Sequence, residues 1–354
     1  MPRLLYVPVS NSNRSRLNTT HPYVLFNPLR QSTRILSESV KLYTEPFGDS
    51  GGFQYFKYSQ AKYKNKYRIT TNFDEEHKMG QNKINFNPID LCCKYGQIGI
   101  KYGFTLDNPF YEDEGEKVFY EKLAESYRFA KLMFKNRQNL CPNTKLIIPL
   151  QYGSKKQLYT YYKTMSSLHP DGYALPMWGY NFDKENSIAF ACALSFLHHN
   201  KVKFLHMLGN SSQELMIIGA AAVGLKMFEQ LSFDSGSFDQ LNYGRIKYMD
   251  HNTMRYVDLK KSGVSELIAI PKDGIKISKE EREEVAVRNA FTLANYTQQI
   301  SMKAQNIEAL KEHIKENKYL KRKSEIINCS IRVLERAVSD GYEFVENWKK
   351  HTWK

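Results

Sequence analysis

Cysteine is scarce in this chain, and its spacing is typical of neither a disulfide framework nor a metal site. Five cysteines stand at positions 92, 93, 141, 192 and 329 of 354 residues, without a Cys-x-x-Cys pair. An odd and scattered set of this kind gives no basis for disulfide bonds or for a zinc site. We therefore expect the protein to work in a reducing compartment, the cytoplasm.

Long hydrophobic runs are absent as well. The longest, such as residues 188–197, are shorter than a membrane-spanning helix, and the N-terminus has no hydrophobic core of a secretory signal. The proportions of 42% hydrophobic and 25% charged residues are typical of a globular protein, and the length allows one large domain or two. The sequence thus predicts a soluble protein that does not bind a membrane.

Negative charge is in deficit. The chain has 37 acidic residues against 51 basic ones, which gives a formal net charge of +14. A basic surface attracts polyanions because each phosphate contact releases counterions. The 24 Tyr and 20 Phe residues supply rings that can stack on unpaired bases, although most such rings fill cores. The composition favours a nucleic acid as partner.

Short hydrophobic runs alternate with amphipathic stretches along the first three quarters of the chain. Strand candidates lie at residues 23–26, 98–100, 146–150, 173–176 and 204–208, and helix candidates at residues 87–95, 114–136, 154–167, 187–200 and 212–227. Alternation at this spacing is typical of βαβ units. It fits either a (β/α)8 TIM barrel or a doubly wound sheet, and composition alone does not separate these α/β folds.

From about residue 276 the chain changes to long helices. Residues 276–323 are rich in Lys and Glu. The amphipathic stretch after them carries one hydrophobic face, formed by Ile326, Ile327, Ile331, Leu334, Val338 and Phe344. We divide the chain into a barrel over residues 1–275 and C-terminal helices over residues 276–354, which pack on the barrel or complete it. Their charged surface is either a solvated face or a contact for nucleic acid.

Residues 49–54 form the most informative motif, Asp-Ser-Gly-Gly-Phe-Gln. It combines the carboxylate of Asp49, two glycines that let the backbone approach a ligand, the ring of Phe53 and the amide of Gln54. These are the parts needed to hold and protonate a planar heterocycle. The same residues also make an ordinary turn.

Further polar residues and glycines lie within or directly after hydrophobic runs, where a barrel places its active site. They are Asp107, Gln151, Gly153, His206 and Asp234. Each has a purely structural alternative, since Asp107 could cap a helix, Gln151 could be a surface amide and Asp234 a turn residue. Their order along the chain is more informative than any one of them.

That order resembles the tRNA-guanine transglycosylase family, (β/α)8 enzymes that exchange guanine for a 7-deazaguanine. The family's Asp-Ser-Gly-Gly-Phe/Tyr-Gln, Asp-x-Pro, Val/Leu-Gln-Gly, His-x-x-Gly and Phe-Asp-Ser-Ala-Ser-Tyr elements have counterparts at residues 49–54, 107–109, 150–153, 206–209 and 233–238. Weaker counterparts of two further elements stand at residues 172–177 and 246–249. The resemblance covers about residues 20–310 and implies a (β/α)8 barrel.

Two departures point to one branch of that family. Its members bind zinc through three clustered cysteines and a distant His, whereas residues 266–271 hold no cysteine and Arg288 stands where that His would be. We therefore expect no zinc subdomain, no metal and no cofactor. A zinc-free, basic relative resembles the DNA-guanine transglycosylases of phages and of bacterial DNA-deazapurine clusters. A phage-encoded member would act in the host cytoplasm.

The resemblance implies a role for each residue of the motifs. Asp234 would be the nucleophile that captures C1′ of the sugar, and Asp49 the general acid and base. Asp107 would accept hydrogen bonds from the base, with Gln151 at its O6 edge. Further substrate-binding residues would be Phe53, which would stack on the ring, and Ser50, Gln54, Gly153, Met177 and Trp178. His206 would be either a residue behind the site or an ordinary core histidine.

The implied activity is that of a glycosyltransferase, more narrowly a pentosyltransferase, with DNA and a free 7-deazaguanine such as preQ0 as partners. One alternative is a zinc-free tRNA-guanine transglycosylase. Another is a non-catalytic nucleic-acid-binding subunit. The sequence does not specify which 7-deazaguanine is inserted, the target context, the oligomeric state or the need for a helper protein.

Overall fold

The computed structural model describes residues 2–10, 22–29, 32–52, 77–79, 82–84, 87–110, 114–176, 184–209, 212–235, 247–249, 256–258 and 279–341. Eight parallel strands in these ranges close into a barrel, in chain order, with the last strand beside the first. They are β1 (Arg3–Ser10), β2 (Tyr23–Phe26), β3 (Glu45–Gly48), β4 (Tyr102–Phe104), β5 (Lys145–Pro149), β6 (Gly172–Pro176), β7 (Phe204–Leu208) and β8 (Gln230–Ser235). Two antiparallel hairpins form separate sheets: His77–Met79 with Asn82–Ile84, and Lys247–Met249 with Tyr256–Asp258.

Helices follow the strands from β2 to β8 and surround the barrel. They are α1 (Thr33–Val40), α2 (Pro88–Ile98), α3 (Glu116–Leu140), α4 (Lys155–Ser166), α5 (Lys184–His199), α6 (Gln213–Gly224) and α7 (Lys279–Lys303), and then come α8 (Ile307–Glu316), a 3-10 turn (Leu320–Lys323) and α9 (Ser324–Ser339). This arrangement confirms the predicted (β/α)8 barrel with additional C-terminal helices and excludes a doubly wound sheet. None of the described helices combines the length and the hydrophobicity needed to span a membrane.

Capping residues explain where α2 begins and ends. The side chain of Asn87 accepts backbone hydrogen bonds from the first turn, and Gly99 ends the helix with φ of 87°. The predicted strand at residues 98–100 is therefore wrong. Ile98 is the last residue of α2, and β4 begins only at Tyr102.

Aromatic side chains fill the interior of the barrel. The ring of Tyr102 stacks on that of Phe47 at 4.7 Å and on that of Phe204 at 5.0 Å between centroids. Because side chains along a strand alternate between the interior and the helix layer, the next inward residue after Phe47 is Asp49. On β8 the inward residue Ser232 is likewise followed by Asp234. Strand periodicity thus directs both carboxylates towards the C-terminal mouth.

The C-terminal helices pack on the rest of the fold. Helix α7 contacts β1 and α6, and α9 contacts α5 and α6. Three residues of the predicted hydrophobic face of α9 are fully buried: Ile327, Ile331 and Leu334. Val338 is instead 43% exposed, so the face ends before it, and Phe344 lies outside the described residues. The division of the chain at residue 275 stays a prediction.

Candidate active site

Polar residues from four strand ends lie at the C-terminal mouth of the barrel. Asp49 directly follows β3, Asp107 and Gln151 come shortly after β4 and β5, and Asp234 lies near the end of β8. Asp107, Gln151 and Asp234 are buried. This is the end at which (β/α)8 enzymes carry their active sites, so the barrel brings together residues that are far apart in sequence.

Asp107 is held by side chains from the two neighbouring strand ends. Ser50 Oγ donates to its Oδ1 at 3.0 Å, and Gln151 Nε2 donates to its Oδ2 at 2.6 Å. Burial raises the pKa of Asp107 to about 7, and the negative charge of Asp49 adds to this rise, while the two hydrogen bonds oppose it. This carboxyl therefore changes its protonation state near neutral pH.

Gly52 packs directly against that carboxyl. A Cβ on Gly52 would stand 2.3 Å from Asp107 Oδ1, which is closer than non-bonded atoms approach. The N–H of Gly52 also donates to Ser50 Oγ at 3.1 Å, and Gly51 adopts a φ of 78° that side chains disfavour. The glycines were expected to let the backbone approach a ligand. The close approach that the structure describes is between Gly52 and Asp107.

Asp49 is oriented by a residue that the sequence reasoning missed. Asn27 Nδ2 donates to Asp49 Oδ2 at 3.0 Å, and the N–H of Gly51 donates to Oδ1 at 3.3 Å. Asn27 directly follows the hydrophobic run of β2. The signal that marked Gln151, a polar residue just beyond a strand, would have found it.

Asp234 and His206 form a buried pair across β8 and β7. His206 Nε2 lies 3.0 Å from Asp234 Oδ1, and the N–H of Gly209 donates to the same oxygen at 2.9 Å. On the other side of the imidazole, Nδ1 lies 2.8 Å from Ser232 Oγ. His206 is thus a core residue that contacts Asp234, and its role behind a functional site stays a prediction.

Tyr95 of α2 connects β3 to β4 through its ring and its hydroxyl group. Its ring fills the space beside two glycines, since a Cβ on Gly48 or Gly103 would stand 2.4 Å from a ring carbon. Its hydroxyl lies 2.7 Å from the backbone oxygen of Phe104, 3.0 Å from that of Gly48 and 3.1 Å from that of Asp49. Burial holds the pKa of this phenol well above its usual value, so it stays a donor.

Helix α3 anchors the loop that carries Asp107. Ser126 Oγ accepts from the N–H of Asn108 at 2.9 Å, and Glu125 Oε2 accepts from Asn108 Nδ2 at 2.6 Å. Lys122 bonds to the backbone oxygen of the proline that follows and forms a buried ion pair with Glu114. Sequence reasoning missed these residues because polar side chains on an amphipathic helix are usually solvated.

Of the other predicted site residues, Gly153 lies in the turn before α4, and the rest lie outside the described ranges. The N–H of Gly153 donates to Gln157 Oε1 at 2.8 Å, in the turn before α4. Phe53, Gln54, Met177 and Trp178 are outside the described residues, as are residues 266–271. Among the residues that are described, no group of three or more His, Cys, Asp or Glu side chains could hold a metal ion.

Comparison of the chain with models of protein families gives no match, and no curated protein matches it.

Proposed function

We propose that this protein is a DNA-guanine transglycosylase, a pentosyltransferase that exchanges guanine in DNA for a 7-deazaguanine such as preQ0. One observation carries the proposal. Three carboxylates that the motifs single out, Asp49, Asp107 and Asp234, lie at the same barrel mouth in three different settings. A base exchange has three tasks that a carboxyl group can perform: attack, proton transfer and base recognition.

The hydrogen-bond partners of Asp234 and Asp49 suit different steps of the reaction. Asp234 Oδ1 has a backbone N–H and an imidazole nitrogen as hydrogen-bond partners, which hold the carboxylate in place and suit a nucleophile. Asp49 is held by an amide and a backbone N–H at the end of β3, a position from which it can shuttle a proton. Separate environments for neighbouring carboxyl groups are how enzymes divide acid, base and nucleophile roles.

In the first half of the reaction, Oδ2 of Asp234 bonds to C1′ while the C1′–N9 bond of the deoxyguanosine breaks. The electron pair of that bond leaves with the guanine, which takes a proton from Asp49. In the second half, N9 of the incoming base attacks C1′ and gives its proton to Asp49, and the electron pair of the C1′–Oδ2 bond returns to Asp234. The transition states resemble an oxocarbenium ion, which a carboxylate stabilises.

Recognition falls to Asp107 and Gln151. An ionised carboxylate can accept from N1–H and the exocyclic amine of guanine together, and preQ0 presents the same edge. Gln151 already orients Asp107 through its Nε2. The second hydrogen on Gln151 Nε2 would be the donor to O6 of the base.

The net charge of +14 supports a polyanionic substrate. The target nucleotide would have to leave its stack to reach a barrel mouth, and phosphate contacts add affinity with little sequence choice. We therefore expect weak or short-context preference in DNA.

The experiment is an exchange assay with purified protein and radiolabelled guanine or preQ0, run separately on DNA and on tRNA. We expect label to enter DNA and the Asp234→Ala variant to incorporate none. Stronger incorporation into one structured tRNA would favour the zinc-free tRNA enzyme. Binding of DNA without incorporation into either polymer would favour a non-catalytic subunit and overturn the proposal.

A further inference from the structure

We infer that His206 is a positioning residue for Asp234: together with Gly209 it anchors the carboxylate oxygen Oδ1 and leaves Oδ2 to attack the sugar. This inference deepens the proposed function and rests on it. Its basis is the distribution of hydrogen bonds over the two oxygens of a single carboxylate.

Both donors converge on one oxygen. His206 Nε2 and the N–H of Gly209 lie 3.0 Å and 2.9 Å from Asp234 Oδ1. Within the described part of the chain, no hydrogen bond reaches Oδ2. A carboxylate fixed through one oxygen has its second oxygen aimed in a defined direction, which is the requirement for in-line attack on C1′.

The partners of the imidazole define which nitrogen carries the proton. An ionised carboxylate only accepts hydrogen bonds, so Nε2 of His206 must carry a hydrogen. Ser232 Oγ, at 2.8 Å from Nδ1, can then donate its hydroxyl proton to that nitrogen. The ring is fully buried and lies against Phe104 and Phe47, with centroid distances of 4.9 Å and 5.6 Å, so these two hydrogen bonds and the packing fix its orientation.

This arrangement affects the two halves of the reaction differently. When Oδ2 bonds to C1′, Oδ1 becomes the carbonyl oxygen of an ester and loses negative charge. When the incoming base displaces the sugar, the C1′–Oδ2 bond breaks, its electron pair returns to the carboxylate and charge grows again on Oδ1. Donors aimed at a position where charge develops stabilise that transition state. His206 should therefore assist release of the sugar more than its capture.

The test measures turnover and the covalent protein–DNA adduct in the same reactions. We expect His206→Ala to lower the rate of exchange by about 100-fold, the usual effect of removing one such donor. We also expect the fraction of protein trapped as adduct to rise, because release slows more than capture. A purely structural role would instead lower turnover and adduct in parallel, and would leave their ratio unchanged.

Two variants serve as matched controls. His206→Gln keeps an N–H at the position of Nε2 and should restore most of the release rate. Ser232→Ala removes a buried hydroxyl at the same depth but leaves both donors on Oδ1, so its effect should be smaller than that of His206→Ala. If His206→Ala does not fold, His206→Gln decides: slow release by a folded His206→Gln protein would overturn the inference.

The structural basis is tested without turnover by nitrogen NMR of protein labelled in its histidines. We expect His206 to show a protonated Nε2, and its signal to shift in the Asp234→Asn variant. A proton on Nδ1 alone would overturn the inference. An active wild type with unchanged His206→Ala turnover and adduct would overturn it while leaving the proposed function intact, whereas an inactive wild type would overturn both.

Discussion

At the scale of single residues, the burial of Asp107 has a direct consequence for how its carboxyl group ionises. Its carboxyl group is buried, and its pKa is raised from 3.8 to about 7. A protonated carboxyl cannot accept two N–H groups from one base edge, whereas the ionised form can. The proposed recognition of a base therefore requires the ionised form of Asp107, which burial disfavours.

Binding of the free base should accordingly depend on pH. We expect the affinity for preQ0 or guanine to rise as pH rises through about 7, because only then is Asp107 ionised. Below this pH each unit should weaken binding by up to about tenfold. Calorimetric titration of wild-type protein between pH 5.5 and 8.5 measures this dependence.

Two variants make that measurement specific. Asp107→Asn should bind weakly with no pH dependence in this range. Ser50→Ala removes a hydrogen bond that lowers the pKa of Asp107, so its transition should move to higher pH. A flat wild-type profile, or wild-type affinity in Asp107→Asn, would contradict the assigned role.

At the scale of elements, the join between β3 and β4 matters because these strands lead to two of the carboxyl groups, Asp49 and Asp107. The two strands pair through Phe47 with Tyr102 and Gly48 with Gly103, the N–H of Lys101 donates to the backbone oxygen of Pro46, and Tyr95 from α2 bridges the strand ends. A helix outside the barrel therefore sets the spacing between the strand that leads to Asp49 and the one that leads to Asp107.

Tyr95→Phe should weaken this join. Loss of a buried hydroxyl that reaches three backbone oxygens should lower the free energy of unfolding by about 1–3 kcal/mol. Exchange should also slow, by up to about 100-fold if the two carboxyl groups shift by an ångström. Urea denaturation and the exchange assay, run on the same preparation, measure the two effects.

Tyr43→Phe is a suitable control for that variant. Tyr43 is buried and packs edge-on against Phe26, and no hydrogen bond of its hydroxyl is found among the described residues. Its loss should change stability and exchange little. If Tyr95→Phe behaves like this control, Tyr95 does not hold the two strand ends in register.

Elements with a clear pattern could be predicted from sequence. The strands at residues 23–26 and 204–208 have the predicted bounds. By contrast β3, which leads to Asp49, was missed because Glu45–Gly48 has only Pro and Phe as hydrophobic residues and is too short to show alternation. The wrong strand prediction at residues 98–100 has another cause: Gly99, which ends α2, stands between two isoleucines and therefore resembles part of a hydrophobic strand.

At the scale of the whole molecule, the closed barrel explains how the motifs come together. Residues 107, 151 and 234 could be picked out because each lies within or just after a hydrophobic run, and residue 49 because it opens a distinctive motif. Parallel strands bring all four to one mouth. Asn27, which follows β2, could have been found by the same signal, but Tyr95, Ser126 and Ser232 could not, since they act through contacts with other elements. Such contacts depend on strand register and helix packing, which local patterns do not encode.

The claim that Asp234 is the nucleophile of a base exchange is tested most directly by trapping a covalent intermediate. The protein is incubated with a guanine-containing DNA oligonucleotide, denatured, digested and analysed by mass spectrometry. We expect an adduct that survives denaturation, maps to the peptide containing Asp234 and is absent from Asp234→Ala. An adduct on another residue, or full exchange activity in Asp234→Ala, would contradict the account.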